Sequence, residues 1–322
     1  MTSSGLLFTL LLCGLWFGAN VLECYVAAAF CETCPAGWTW YGGHCYLFDK
    51  NEKDWADAEK YCNSLGGNLA SLQSTAEYTF IRDLITKTSG SNPRTWVGGS
   101  DAVKNGAWMW SDGSNFVFNF WAKNEPNNYG GMESCMEINY NGQDYVNDEN
   151  CSRKNSVICS RDPYEEATTS KKEIDKDSLK PTSLMGWRYL LGWFIFGLGM
   201  GANLFHLIML PAFRLFSQKY CNSLDGNLAS LRTTNVYQFI RDLIYTTTGS
   251  NTVSWLGGYD AVKNHVWFWS DGYPFDFTGW GRGEPNNSGG NEHCMDMNLN
   301  GKDYVNDDKC SRSLAFVCAK DL

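Results

Sequence analysis

Five side chains with oxygen donors cluster between residues 125 and 148, in a stretch rich in Asn, Gly, Asp and Glu. Three carboxylates and two amides, with little sulfur or imidazole nearby, suit a hard cation such as calcium, which takes about six to eight oxygen ligands. The alternative is a solvated loop whose acidic residues only keep the domain soluble, and the residue types alone do not separate the two. The five residues are Glu125, Asn127, Glu133, Asn147 and Asp148.

The chain contains the same module twice. Lys60–Leu72 and Lys219–Leu231 differ at one position, and the offset of 159 residues holds without insertion to the carboxyl end. A period this long indicates a duplicated domain rather than a solenoid. We call the two copies the first and the second repeat. The second repeat carries the matching donors and cysteines: Glu284, Asn286, Glu292, Asn306 and Asp307 match the five donors, and Cys221, Cys294, Cys310 and Cys318 match Cys62, Cys135, Cys151 and Cys159.

Local patterns in the first repeat indicate mixed helix and strand. Asn51–Leu65 has apolar residues at helical spacing and is predicted to be a helix. Ser74 with Glu77 has the pattern of a capping box, which predicts the start of a second helix. Trp108 and Trp110 share one face of a predicted short strand. The polar stretch that follows has little periodicity, and a long loop of this kind in a compact domain usually binds something. The predicted fold class is α+β.

Composition and charge limit the class of protein. A net charge of −9 argues against a nucleic-acid partner, which needs a basic surface. Thirteen cysteines and a high aromatic content suggest secreted, disulfide-bonded domains. Gly5–Gly18 is an apolar run too short to span a bilayer, so residues 1–29 are predicted to be a signal peptide. Removing it leaves eleven cysteines, so one thiol is either free or bonded to another chain.

The motifs of both repeats resemble those of the C-type lectin domain family, and within it the secreted fish lectins (ladderlectin and nattectin-like lectins) and the type II antifreeze proteins. The resemblance extends over residues 34–160 and 218–320. In the first repeat it is carried by Trp96–Gly99, Glu125–Asn127 and Val146–Asp148, together with four cysteines in the family's order. It implies two double-loop, disulfide-bonded α+β domains.

The resemblance also implies a calcium site and a set of disulfides. The five oxygen donors of each repeat would hold the family's sugar-linked calcium, with Pro126 in the cis form. In this family the order Glu-Pro-Asn goes with mannose-type sugars, whereas Gln-Pro-Asp goes with galactose. The implied disulfides are Cys34–Cys45, Cys62–Cys159 and Cys135–Cys151, and by position Cys221–Cys318 and Cys294–Cys310.

Two unlike segments separate the repeats. Residues 161–182 are polar and carry both signs of charge, as in a linker. Residues 184–213 are apolar and long enough to span a membrane, but one span would place the two cysteine-rich repeats on opposite sides of it. We therefore expect an artefact of joining two neighbouring genes, with a real membrane anchor as the alternative. Because this segment replaces the opening strands, the second domain (214–322) is predicted to be truncated at its amino terminus, without a partner for one sheet edge.

Together these features predict a secreted, extracellular lectin of innate immunity that binds mannose-type glycans through calcium. No nucleophile–base pair stands out in the sequence, so no enzymatic activity is expected. The sequence leaves two other functions open: an ice-binding protein on the same fold, and a membrane-anchored lectin receptor. Cys31 lies outside the implied pairs, and we expect it to form a disulfide between chains, giving a homo-oligomer.

Overall fold

The computed structural model describes residues 32–165, 194–197 and 202–321. The predicted signal peptide, Cys31 and most of the predicted linker lie outside these residues. The described residues separate into a small unit, residues 32–45 with 162–165, and a large unit, residues 46–161 with the described residues from 194 onward. Almost all of both repeats therefore belongs to one compact unit.

Both repeats are built from short strands and two helices. The elements of the first repeat are β1 (Glu32–Thr33), β2 (Thr39–Tyr41), β3 (His44–Lys53), α1 (Trp55–Ser64), β4 (Asn68–Leu69), α2 (Thr75–Ser89), β5 (Thr95–Ser100), β6 (Met109–Trp110), β7 (Cys135–Ile138), β8 (Val146–Glu149), β9 (Asn155–Arg161) and β10 (Tyr164–Glu165). Those of the second are β11 (Phe194–Gly197), β12 (Ala202–Ala212), α3 (Arg214–Asn222), β13 (Asn227–Leu228), α4 (Thr234–Thr248), β14 (Ser254–Tyr259), β15 (Phe268–Trp269), β16 (Cys294–Met297), β17 (Val305–Asp308) and β18 (Leu314–Asp321).

The two large sheets have the same strand order. In the first repeat it is β2-β3-β9-β5-β7-β8, with β4 on β9 and β6 on β5. In the second it is β11-β12-β18-β14-β16-β17, with β13 on β18 and β15 on β14. The pairs β5–β9 and β14–β18 are parallel. Helices and a mixed sheet in each repeat confirm the predicted α+β class.

Helix α1 begins later than the sequence predicted. Residues 51–53 continue strand β3, and the Trp96 indole donates to the Lys53 carbonyl at 2.9 Å. Asp54 then forms the N-cap, and its carboxylate accepts from the Asp57 backbone N–H at 2.9 Å. The helical spacing of apolar residues was correct from Trp55 onward, but a contact between distant parts of the chain fixes where the helix starts.

Helix α2 begins where its capping residues predicted. The Ser74 hydroxyl accepts from the Glu77 backbone N–H at 3.1 Å, which satisfies one of the free donors of the first turn. Glu77 in turn accepts from the Gln73 backbone N–H at 2.8 Å. The helix ends at Gly90, whose φ of 77° is the left-handed conformation that glycine adopts without strain.

The structure differs from the expectation that the second repeat lacks strands at one edge of its sheet. Residues 202–212 of the apolar segment form β12, which is antiparallel to β18, with Phe205 opposite Ala319 and Ile208 opposite Phe316. The described apolar side chains of this strand, among them Phe205 and Ile208, are buried. This part of the segment is therefore apolar because the sheet buries it. Within the described ranges, no helix has both the length and the apolar character needed to cross a membrane.

Five disulfides occur among the described residues. Two in each repeat connect equivalent positions, and one more joins Cys34 to Cys45 without a counterpart in the second repeat. They are the pairs that the resemblance implies: Cys34–Cys45, Cys62–Cys159, Cys135–Cys151, Cys221–Cys318 and Cys294–Cys310.

Candidate functional site

The oxygen donors of the first repeat come from a loop and from two adjacent strands. Glu125 and Asn127 flank Pro126 in the loop between β6 and β7, and the Glu125–Pro126 peptide bond is cis. Asn147 and Asp148 lie on β8, which pairs antiparallel with β7. The short strand β8 thus brings the last two donors to the polar loop. We call residues 125–133 the donor loop.

Asp148 organises the donor loop. Its side chain is 1% exposed, and its two carboxylate oxygens accept from the backbone N–H groups of Asn127 at 2.9 Å and Asn128 at 2.7 Å. Asn128 has a φ of 44°, and its side-chain oxygen accepts from the Glu133 backbone N–H at 3.0 Å. The Glu133 carboxylate accepts from the Tyr129 N–H at 2.8 Å. The loop is therefore folded around a buried carboxylate.

Two glutamates of this loop have raised pKa values. The pKa of Glu125 is raised by partial burial and then by Asp148 and Glu133. The pKa of Glu133 is raised by partial burial and by the nearby negative charge, chiefly that of Asp148. The side-chain amide of Asn127 donates to Glu125. Crowded carboxylates with amide oxygens beside them form a donor set that a calcium ion fits, because its charge would relieve their mutual repulsion.

The structure brings four of the five predicted donors together in each repeat. The fifth, Asn147, donates its side-chain N–H to Glu137 at 2.9 Å, so its side-chain oxygen is the atom that could bind a cation. Among the described residues, no group of three or more His, Cys, Asp or Glu side chains is arranged as a metal site on its own. The candidate site combines the carboxylate oxygens of Glu125, Glu133 and Asp148 with the amide oxygens of its asparagines.

The second repeat has the same arrangement. Asp307 accepts from the backbone N–H groups of Asn286 at 2.9 Å and Asn287 at 2.6 Å. Glu292 accepts from the Ser288 N–H at 2.8 Å, and the Glu284–Pro285 bond is cis. Asn306, like Asn147, donates to a neighbouring acid instead, here Asp296 at 3.4 Å.

Two contacts are specific to the donor loop of the second repeat. The Tyr304 hydroxyl donates to Glu284 at 3.0 Å, and the Asn287 amide donates to the Asn264 side chain at 2.8 Å. Neither Tyr304 nor Asn264 was predicted from the sequence to be a site residue. The Asp-Tyr-Val-Asn-Asp segment shared by the repeats could have indicated Tyr304, but nothing in the sequence places Asn264 next to the loop.

Comparison with known proteins identifies the family of this chain. A family model described as the lectin C-type domain matches residues 51–161 and 216–320. The chain belongs to this family. A galactose-specific lectin, nattectin, from Thalassophryne nattereri is 44% identical over 154 residues, which cover 48% of this chain and 93% of nattectin. Ladderlectin from Oncorhynchus mykiss is 44% identical over 129 residues, covering 40% of this chain and 68% of ladderlectin.

A solved structure of herring type II antifreeze protein is also similar to this C-type lectin chain. The sequence identity is 31%, and the match covers 41% of this chain and all of the herring protein. The TM-score of this match is 0.38.

A buried ion-pair cluster supports the donor site of the first lectin repeat. Arg94 donates to Glu137 and to Glu149, with its Nε 2.8 Å from Glu137. Glu137 is fully buried and also accepts from Asn147 and, at 2.7 Å, from Asn155. Arg94 thus pairs with one acid on the strand that carries Asp148 and with one on the neighbouring strand β7. No local pattern in the sequence indicates this cluster.

The second lectin repeat lacks the arginine. Val253 stands at the position of Arg94, while Asp296 and Asp308 stand at the positions of the two acids. Burial, and then the charge of Asp308, raise the pKa of Asp296 to about 8. The signal that could have revealed this difference was the Arg-to-Val change between two otherwise similar repeats.

Proposed function

We propose that this chain is a calcium-dependent, carbohydrate-binding lectin with one site in each repeat. The observation that carries the proposal is the buried Asp148 carboxylate, which holds the two N–H groups after the cis Glu125–Pro126 bond, together with its copy at Asp307. Such a loop presents carboxylate and amide oxygens in a fixed arrangement. A fixed set of oxygen donors is what a calcium-bridged sugar site requires.

The calcium ion would be held by all five donors of each repeat, in the first by Glu125, Asn127, Glu133, Asn147 and Asp148. When bound, calcium supplies coordination positions for two vicinal sugar hydroxyls. The carboxylate of Glu125 can accept from one hydroxyl and the amide of Asn127 can donate to its oxygen, since side chains that face a hydroxyl on both sides fix its orientation. For Asn147 this proposal uses the side-chain oxygen, since the amide nitrogen is the atom that donates to Glu137.

We further propose a mannose-type preference, which is supported by the Glu-Pro-Asn order in both repeats. Galactose is the second candidate, because the similar protein nattectin bears the name of a galactose-specific lectin. We also propose that the protein acts outside the cell by binding glycans and not as an enzyme. Ice binding would be detected as thermal hysteresis in the same preparation.

Sugar binding by the full chain should depend on calcium. We expect retention on mannan in the presence of calcium and release by excess chelator, since three carboxylates cannot bind the sugar hydroxyls in the same way without the cation. Acid should also release the protein at a higher pH than ordinary carboxylates would predict, because the pKa values of Glu125 and Glu133 are raised. Binding to mannan or galactose resin that persists in chelator would refute the proposal.

The Cys31 thiol is proposed to bond to a second chain. All other cysteines from Cys34 onward are paired within the chain, so a disulfide between chains has to involve the segment before residue 34. Non-reducing gels of the secreted protein should contain dimers, and Cys31→Ser should remove them. Monomers in both samples would rule this out.

A further inference from the structure

The two lectin repeats touch through equivalent turns. Ser111–Gly113 of the first repeat lies against Ser270–Gly272 of the second, backbone to backbone. A Cβ added at Gly113 would be 2.9 Å from the Asp271 Cα, and one added at Gly272 would be 2.8 Å from the Asp112 Cα. Because the same patch is used on both sides, the contact has the form of an isologous, twofold interface.

Hydrogen bonds across this contact follow the same reciprocal pattern. The Asn68 amide donates to the Gly272 carbonyl at 2.8 Å. In the opposite direction, the Asn222 side-chain amide of the second repeat donates to the Gly113 carbonyl at 3.4 Å, and Asn227, the residue that matches Asn68, lies beside the same turn. Asn68 also donates to the buried carboxylate of Glu59 at 2.8 Å, which fixes its orientation. Each turn carbonyl thus accepts from a side-chain amide of the other repeat, as expected when the same patch is used on both sides.

Further contacts surround the two turns. Lys263 of the second repeat donates to Asp54 and Asp57 of the first, at 3.2 Å each. Trp55 of the first repeat packs edge-to-face on Phe268 of the second, with ring centroids 6.0 Å apart. These contacts add a charged pair and an aromatic pair to the tightly packed turns.

We infer that the face centred on the Ser111–Gly113 turn is a recognition surface whose partner is a second copy of the same lectin repeat. In this chain the partner is the other repeat, so the two repeats form a fixed pair rather than two domains tethered by a linker. No described disulfide joins them, because all four cysteines of the second repeat pair with one another. The pair is therefore held by non-covalent contacts and by the connecting polypeptide.

Cutting the connection tests this interface in the full chain. A protease site is inserted between Lys172 and Glu173, and the protein is cleaved after folding. We expect the halves to sediment together at micromolar concentration. Separate sedimentation of the wild-type halves would overturn the inference.

Two pairs of variants locate the contact. Gly113→Ala should weaken association of the cleaved halves by at least about tenfold, the effect of roughly 1.4 kcal/mol of overpacking. Gly90→Ala is the matched control, because Gly90 has a φ of 77° against 78° for Gly113 and nothing within 4 Å of an added Cβ. Equal effects of the two variants would contradict the proposed contact.

The second pair avoids backbone strain altogether. Lys263→Glu should weaken association by placing a negative charge beside Asp54 and Asp57. Lys87→Glu makes the same charge change at an exposed position of α2 and should leave association unchanged, since within the described residues Lys87 forms no ion pair across the contact. If both charge reversals weaken association equally, net charge rather than this surface determines it, and the inference fails.

Discussion

Replacing Asp148 by Asn should remove the proposed calcium site of the first repeat and leave the proposed site of the second. Each oxygen of the buried carboxylate accepts a hydrogen bond from a backbone N–H group. In asparagine one of these oxygens is replaced by an NH2 group, which cannot accept a hydrogen bond from a backbone N–H group. Hydrogen bonds to a charged group contribute about 1.5–3 kcal/mol each, so losing one together with the ligand charge should weaken calcium binding at least about 100-fold.

The measurement is calorimetric titration of the full chain with calcium. We expect the stoichiometry to fall from two ions per chain to one in Asp148→Asn, and to zero when Asp307→Asn is added. Asp83→Asn makes the same charge change at an exposed position of α2 and serves as the control. An unchanged stoichiometry in Asp148→Asn would mean that Asp148 is not part of the site.

Replacing Arg94 by Leu should destabilise the first repeat strongly. The Arg94 guanidinium balances the negative charge of two acids, of which Glu137 is fully buried. Loss of the guanidinium therefore leaves unbalanced negative charge inside the repeat. Breaking a buried ion pair from one side typically costs about 3–5 kcal/mol. In denaturant unfolding at neutral pH, the first repeat of this variant should unfold at a lower denaturant concentration. The two repeats are followed separately because multidomain chains need not unfold in one step.

Arg153→Leu is the matched control for this prediction. Arg153 pairs with Glu149 at 3.1 Å, but its side chain is about half exposed, so water already screens the pair and its loss should cost less than about 1 kcal/mol. If the two variants were equally stable, the buried cluster would contribute no more than a surface ion pair does.

Short-range patterns in the sequence predicted most of what is local. The Ser74 and Glu77 spacing located the start of α2, because an N-cap acts only on the next turn of the helix. The cluster of oxygen donors was also visible, since three of the five lie on the donor loop and two on the short strand β8. The resemblance to the lectin family supplied the disulfide pairs.

Features that depend on distant residues were not predicted. Arg94 meets Glu137 and Glu149 across 43 and 55 residues of sequence, and no local pattern announces such a pair. Gly113 was recognisable as a turn residue. Nothing in the sequence indicated that the backbone of the other repeat packs against this turn. Strand β12 was misjudged for a related reason: an apolar run reads the same whether a membrane or a sheet buries it.

The Cys34–Cys45 bond gives the two repeats different sensitivities to the redox environment. The first repeat is cross-linked by three described disulfides and the second by two. Closing a loop of this size contributes about 3 kcal/mol in the chain-entropy account. In the second repeat this edge is formed by the eleven-residue strand β12, held by ladder hydrogen bonds and apolar burial. Reductants leave such forces intact, so reducing conditions remove more covalent support from the first repeat than from the second.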